Sequence, residues 1–196
     1  MTRKMFGIVS LLLAMGVAGS AFAQSADEVK HRAEKVSAKL RASADKKMDL
    51  SAQDVDRATI SAGETKVAER LGTQFGMSAE AITAEKNALN TSWGNLTIAH
   101  TLAANAGEGV TSENLVQMHS AGMGWGQIAA GLGLKLGEAI RAVRAEDHVA
   151  NGRAKATGKV AVIHHEGTRA GKEKSTGHGA GMGGATKVEH GGGKSK

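Results

Sequence analysis

Two stretches decide the reading of this chain: Gly76-Met77-Ser78-Ala79-Glu80-Ala81-Ile82 and Gly109-Val110-Thr111-Ser112-Glu113-Asn114-Leu115. Both follow the pattern Gly, apolar, hydroxyl, small, Glu, any, apolar. Each then reaches a Trp-Gly pair at nearly the same distance, Trp93-Gly94-Asn95-Leu96 in the first copy and Trp125-Gly126-Gln127-Ile128 in the second. Ser78 or Thr111 can accept from an exposed backbone N–H at a helix start, and the Glu two residues on sits where the helix dipole favours an anion. The second helix of each unit opens on the tryptophan and carries apolar residues along one face, Trp93, Leu96, Ala99, Leu102 and Ala103 against Trp125, Ile128, Ala129 and Leu132. A hairpin this small cannot bury its own apolar face, so neighbouring hairpins must stack. The expected fold is all-α, short helical hairpins stacked as a small array. A third echo is expected at Glu138-Ala139-Ile140, which follows Gly137.

Working outward, the pattern predicts helices over Ala79 to Leu89, Trp93 to Ala106, Ser112 to Ala121, Trp125 to Leu132 and Leu136 to Asp147, with a mixed segment before them ending at Phe75-Gly76. The candidate core is Phe75, Trp93, Leu96, Leu115, Trp125, Ile128, Leu132 and Ile140. Residues 24–50 read as one charged surface helix whose sparse stripe, Val29, Val36 and Leu40, implies weak docking. Residues 51–151 form the helical domain. From Gly152 to Lys196 the composition turns to Gly, Lys, His, Ser and Thr, so a disordered tail is expected, with one isolated apolar run at Val160-Ala161-Val162-Ile163.

Residues 1–23 read as an export signal: Arg3 and Lys4, an apolar run from Met5 to Val17, and Ala21-Phe22-Ala23 before Gln24. The run is too short to span a bilayer, so no transmembrane segment is expected once the signal is removed. Export to the periplasm or outside the cell removes ATP, NAD(P)H and chromosomal DNA from the expected ligands. The chain holds 0 Cys and 0 Pro, so its stability rests on packing without disulfides. Its net charge of +6 is unevenly spread, because nine Lys and Arg but three Asp and Glu lie from Gly152 onward.

The segment Gly122-Met123-Gly124-Trp125-Gly126-Gln127-Ile128-Ala129, with a degenerate copy at Ser92-Trp93-Gly94-Asn95-Leu96-Thr97-Ile98-Ala99, resembles exported bacterial proteins of unknown function that repeat a G-x-G-W-G-x-I-A motif. The first copy lacks both glycines before its tryptophan. The resemblance implies a helical scaffold and supplies no catalytic residues.

Chemistry-bearing motifs are sparse. The chain carries no G-x-S-x-G elbow, H-E-x-x-H or P-loop, His100 and His119 read as isolated, and neither enzyme activity nor a cofactor is expected. Met118, His119 and Met123 suggest a soft copper site, although at helical spacing Met118 reads as core. The tail histidines His164, His165, His178 and His190 could ligate Cu, Ni or Zn, with loose spacing and neighbouring lysines against it. The tail bases Lys155, Lys159, Arg169, Lys172, Lys174 and Lys187 would be drawn to lipid head groups, polysaccharide or extracellular nucleic acid. Gln127 to Arg144 also reads as a helix-turn-helix, with Lys135, Arg141 and Arg144 facing DNA, against the near-neutral charge of residues 24–151. The function expected is that of a non-catalytic exported structural or interaction protein. Metal binding through the tail histidines is the first alternative and DNA binding the second.

Overall fold

The computed structural model describes residues 19–167, with side chains described from Ala26 onward. Eight helices follow in order: α1 Gly19–Glu34, α2 Ala38–Ala62, α3 Glu64–Phe75, α4 Ala79–Ala88, α5 Trp93–Ala103, α6 Ser112–Ser120, α7 Trp125–Gly131 and α8 Leu136–Ala150. Among the described residues the only β pairing is a single antiparallel bridge between Leu134 and His165. The protein is an all-α array, with α5 of the first repeat packed on α6 of the second and both Trp-Gly helices laid on α2.

The segment expected to be one helix over 24–50 breaks at Lys35-Val36-Ser37, where the Ser37 hydroxyl accepts from the Leu40 N–H and starts α2. Far from docking weakly, α2 runs 25 residues through the centre of the molecule. Its buried stripe is Ala44, Met48, Ser51, Ala52, Val55 and Ala58. Small side chains make this stripe poor in apolar bulk, and for the same reason they let other backbones come close.

Those backbones are the two Trp-Gly pairs. A Cβ on Gly94 would collide with the Ala52 backbone, and one on Gly126 with the Arg41 carbonyl and the Ala44 methyl. In each pair the glycine N–H donates to a carboxylate of α2, Gly94 to Asp56 Oδ1 at 2.8 Å and Gly126 to Asp45 Oδ1. An anion at the first turn of a helix satisfies an orphan donor and complements the dipole. Asp45 and Asp56 are separated by three turns of α2, about 16 Å along one face, so one helix receives both repeats at equivalent stations.

The degenerate first copy now has a physical account. Gly122 takes a left-handed φ of 93° before Trp125, and its counterpart Asn90, at φ 46°, is the only non-glycine with positive φ among the described residues. Asparagine tolerates this region better than most residues. At the second position Ser92 caps α5, accepting from the Asn95 N–H at 3.2 Å, whereas a Cβ at Gly124 would strike the Asp45 carboxylate. The third echo begins at Gly133, not at Gly137. The Leu134 N–H reaches the Ala129 carbonyl at 3.0 Å, as the Met77 N–H reaches Gly72 at 2.8 Å and Met123 reaches Met118 at 3.1 Å.

Trp93, Leu96, Leu115, Trp125, Ile128 and Leu132 are buried, while Phe75 and Ile140 are only partly covered. Neither indole is enclosed by its own hairpin alone. Trp93 lies with Val55, Val67, Leu71, Ile82 and Ala150 and donates to Glu64 Oε1 at 2.8 Å. Trp125 lies with Met48, Ile98, Leu102 and Leu115 and donates to Asn95 Oδ1 of the first repeat at 3.2 Å. The tail also departs from expectation at its start. Residues 152–167 hold a defined extended path over the helices because Ile163, from the isolated apolar run, is buried; residues 168–196 lie outside the described residues.

Overpacking of a close helix contact typically costs about 1–3 kcal/mol. Gly94→Ala and Gly126→Ala should each lose at least that much in urea unfolding, whereas Gly107→Ala, whose Cβ meets nothing within 4 Å, should stay within about 0.5 kcal/mol of the parent chain.

Candidate functional site

The site is the extended strap of residues 153–166 and the groove of α3, α5 and α8 that holds it. The strap begins where α8 ends, at a left-handed Gly152, with the Arg153 N–H turned back to the His148 carbonyl at 2.8 Å. Arg70 seals this end by donating to the Ala150 carbonyl at 3.0 Å.

Two side-chain amides then grip the strap. Gln74, at the buried end of α3, accepts from the Thr157 N–H at 2.9 Å and donates to the Lys159 carbonyl at 2.9 Å. Asn105, just past α5, donates to the Ala161 carbonyl at 3.0 Å and accepts from the Ile163 N–H at 2.7 Å. A carboxamide offers one donor and one acceptor at a spacing that matches the N–H and C=O on one edge of an extended chain. Lys159, Ala161 and Ile163 are alternate residues, so one edge of this extended stretch faces the helices, and Thr157 is held on the far side of a left-handed Gly158 at φ 69°. Farther on, Glu138 Oε2 accepts from the His164 N–H at 2.8 Å, the Lys135 N–H donates to the His164 carbonyl at 2.9 Å, and the Glu166 N–H donates to the Gly133 carbonyl at 2.7 Å.

Glu146 lies beneath the strap on α8, 1% exposed. Its Oε1 accepts from the Ala161 N–H at 3.4 Å, while Oε2 has no hydrogen-bond partner among the described residues. Burial raises its carboxyl above the ordinary glutamate range, only partly offset by the Ala161 N–H and the nearby Gln74 amide. The neighbouring Asp147 is raised as well, by burial and then by Asp54.

The residues singled out by sequence separate into several places. His164 and His165 lie at the end of the strap, with His164 Nδ1 2.8 Å from Glu138 Oε2, whereas His178 and His190 fall outside the described residues. Among the described residues no three His, Cys, Asp or Glu side chains gather as a metal site. Lys155 and Lys159 are exposed on the strap; Arg169, Lys172, Lys174 and Lys187 fall outside the described residues. Arg141 and Arg144 are exposed on α8, but the strap crosses the α7–α8 turn at Leu134 and Lys135.

Two histidines read as isolated have neighbours. His100 Nε2 lies 3.0 Å from Glu85 Oε2, its ring stacks on Phe75 with centroids 4.8 Å apart, and Ser112 Oγ donates to Glu85 Oε1 at 2.5 Å. Ser112 is bonded to the carboxylate and not to the imidazole, the reverse of a nucleophile beside its base. His119 stacks on Trp125 at 4.3 Å and holds the Met123 carbonyl at 3.0 Å, while Met118 is buried in the core. Gln74, Asn105 and Glu146 were missed by sequence reasoning, since single polar residues in helices reveal nothing of what they hold. The run Val160 to Ile163 was the one available signal.

Comparison with protein family models, with curated proteins and with solved structures gives no match.

Because Glu146 binds its proton more tightly folded than unfolded, the folded chain loses stability as pH rises from the ordinary glutamate range through the raised value. Glu146→Gln removes that ionisation and keeps the shape. The variant should melt several degrees above the parent at neutral pH, with the gap shrinking below about pH 4. An equal gap at both pH values would mean that Glu146 is not the titrating group.

Proposed function

We propose that this chain is an exported, non-catalytic interaction module whose helical body presents residues 159–163 as a clamped, extended segment, entered through a left-handed Gly158 at φ 69°. The observation that carries this reading is the pair of amide clamps. Gln74 and Asn105 hold the inner edge of the strand through its backbone, and among the described residues no hydrogen bond engages the backbone of Val160 or Val162. Presentation of one strand edge is a known way to recruit extended polypeptide.

Other features support the same reading. Glu85, His100 and Ser112 join α4, α5 and the start of α6, so their polar atoms serve packing. No helix among the described residues is long and apolar enough to cross a membrane. Export rests on the charged, apolar and Ala21-Phe22-Ala23 pattern of residues 1–23, and exposed Lys155 and Lys159 add a general attraction to anionic surfaces. The metal and DNA readings carry less support. His164 is already bonded to Glu138, and the strap lies over the turn that a helix-turn-helix would bring to DNA.

Two measurements test the reading. The native protein recovered from the exported fraction should have an intact mass beginning at Gln24; a full-length mass confined to the cytoplasm refutes export. In dilute protein, amide hydrogen exchange should be slow at Thr157, Ala161 and Ile163 and fast at Val160 and Val162. Asn105→Ala should then speed Ile163 by about tenfold or more. Uniformly fast exchange across the strap would show that no strand is presented.

A further inference from the structure

We infer that the cleft between the first turns of α2 and of α8 binds one free, medium-length acyl chain, with its carboxylate held between Lys47 and Arg141. The cleft lies outside the groove that seats the strap and meets the strap only at Glu166.

The helical period places the cleft. On α2, Leu40, Ala44 and Lys47 fall on one face, and on α8 Leu136, Ile140 and Arg141 fall on the face beside it. Between them the helices leave a cavity of about 490 Å³, a size that holds small ligands. Its lining is apolar at the centre. Ala44 is buried, Val36, Leu136 and Ile140 are half-buried, and Leu40 is 59% exposed at the opening. Apolar side chains gathered at one opening form a patch, unlike scattered surface leucines, and an acyl chain laid over them removes that surface from water.

Charge gives the cleft a direction. Asp54 of α2 acts on Asp147 of α8, so the two helices run the same way, and Lys47 and Arg141 each stand about two turns before that pair. They therefore share one end of the cleft. Both are exposed, and neither takes a hydrogen bond or an ion pair among the described residues. The Arg141 guanidinium lies back over the first turn of α8, with Nη1 4.0 Å from where a Cβ on Gly137 would stand. A guanidinium fork with an ammonium across from it suits a carboxylate.

The opposite end is lined by Glu138, Glu166 and Lys135. Glu138 already accepts from the His164 N–H, which together with the His164 ring holds its carboxyl below the ordinary glutamate range, and Lys135 acts on the same carboxyl. An anionic head is repelled there and drawn to Lys47 and Arg141, while a cationic head finds the Glu138 carboxylate taken. From Lys47 back to Leu40 is about 10 Å along α2, and Val36 carries the lining farther. The chain thus runs from the two cations over Leu40 and Ile140 towards Val36 and Leu136.

Dodecanoate below its micelle concentration, added to the full chain, should fill one saturable site. The methyl resonances of Leu40, Leu136 and Ile140 should move together, while that of Ile60, 86% exposed outside the cleft, stays in place. Dodecyltrimethylammonium, of the same length and opposite charge, should bind at least about tenfold more weakly. Lys47→Gln combined with Arg141→Gln should weaken dodecanoate at least about fivefold and bring the two amphiphiles close together. Leu40→Ser should weaken dodecanoate as well, whereas Ile60→Ser should not. All four residues are exposed, so the helical circular dichroism should be unchanged in every variant. The absence of a saturable shift at the cleft, or equal affinity of the parent chain for the two amphiphiles, would overturn the site. So would binding seen only with phosphatidylglycerol vesicles, which assigns the cleft to a membrane, or cleft resonances that move with protein concentration alone, which assigns it to a second copy.

Discussion

Everything in this structure depends on how closely two backbones can approach α2. Gly94 and Gly126 lie so near the Ala52 and Arg41 carbonyls that a single added carbon at either would collide with the helix. At each station an aspartate of α2 answers the glycine N–H, Asp56 for one and Asp45 for the other. The Trp-Gly pair is therefore a docking element with two linked parts. Glycine permits the approach, and the adjoining tryptophan fills the space beside it, with its N–H satisfied by Glu64 or Asn95. A larger residue in place of glycine would push the helix away and leave the indole with a gap, so the two residues work as a pair.

The alanine stripe of α2 belongs to the same constraint. Ala44, Ala52 and Ala58 contribute little apolar area, yet they allow short interhelical distances along one face. Dispersion contacts at short range replace the area that bulkier residues would have buried. This is how a chain with few aromatic residues and no disulfide packs α3, α5, α7 and α8 against one central helix.

The buried Gln74 and Glu146 and the half-buried Asn105 are directed at the strap. Gln74 and Asn105 are matched in both donor and acceptor, so their desolvation is compensated. Glu146 is not fully matched, since Oε2 lacks a partner among the described residues, and its raised carboxyl is the physical consequence. The strap seat is thus firm at the amides and sensitive to ionisation at the carboxylate between them. Among the described residues, His100 stacks on Phe75, His119 stacks on Trp125, and Ser112 bonds Glu85 across two helices.

Sequence alone determined the local events: where helices begin, as at Ser78 and Thr111, where they turn, as at Gly76 and Gly122, and that the described residues are helical. These are legible because caps, left-handed turns and the 3.6-residue period act within a few residues of one another. Tertiary structure decided what those elements meet. The thin stripe of residues 24–50 became a break and then the central helix, and the first part of an apparent tail became a strap. Gln74 acquired its role from residues 83 and 85 positions away, and Asn105 from residues 56 and 58 positions away. A side-chain amide in a helix carries no mark of its distant partner. Only the folded chain brings that partner to it.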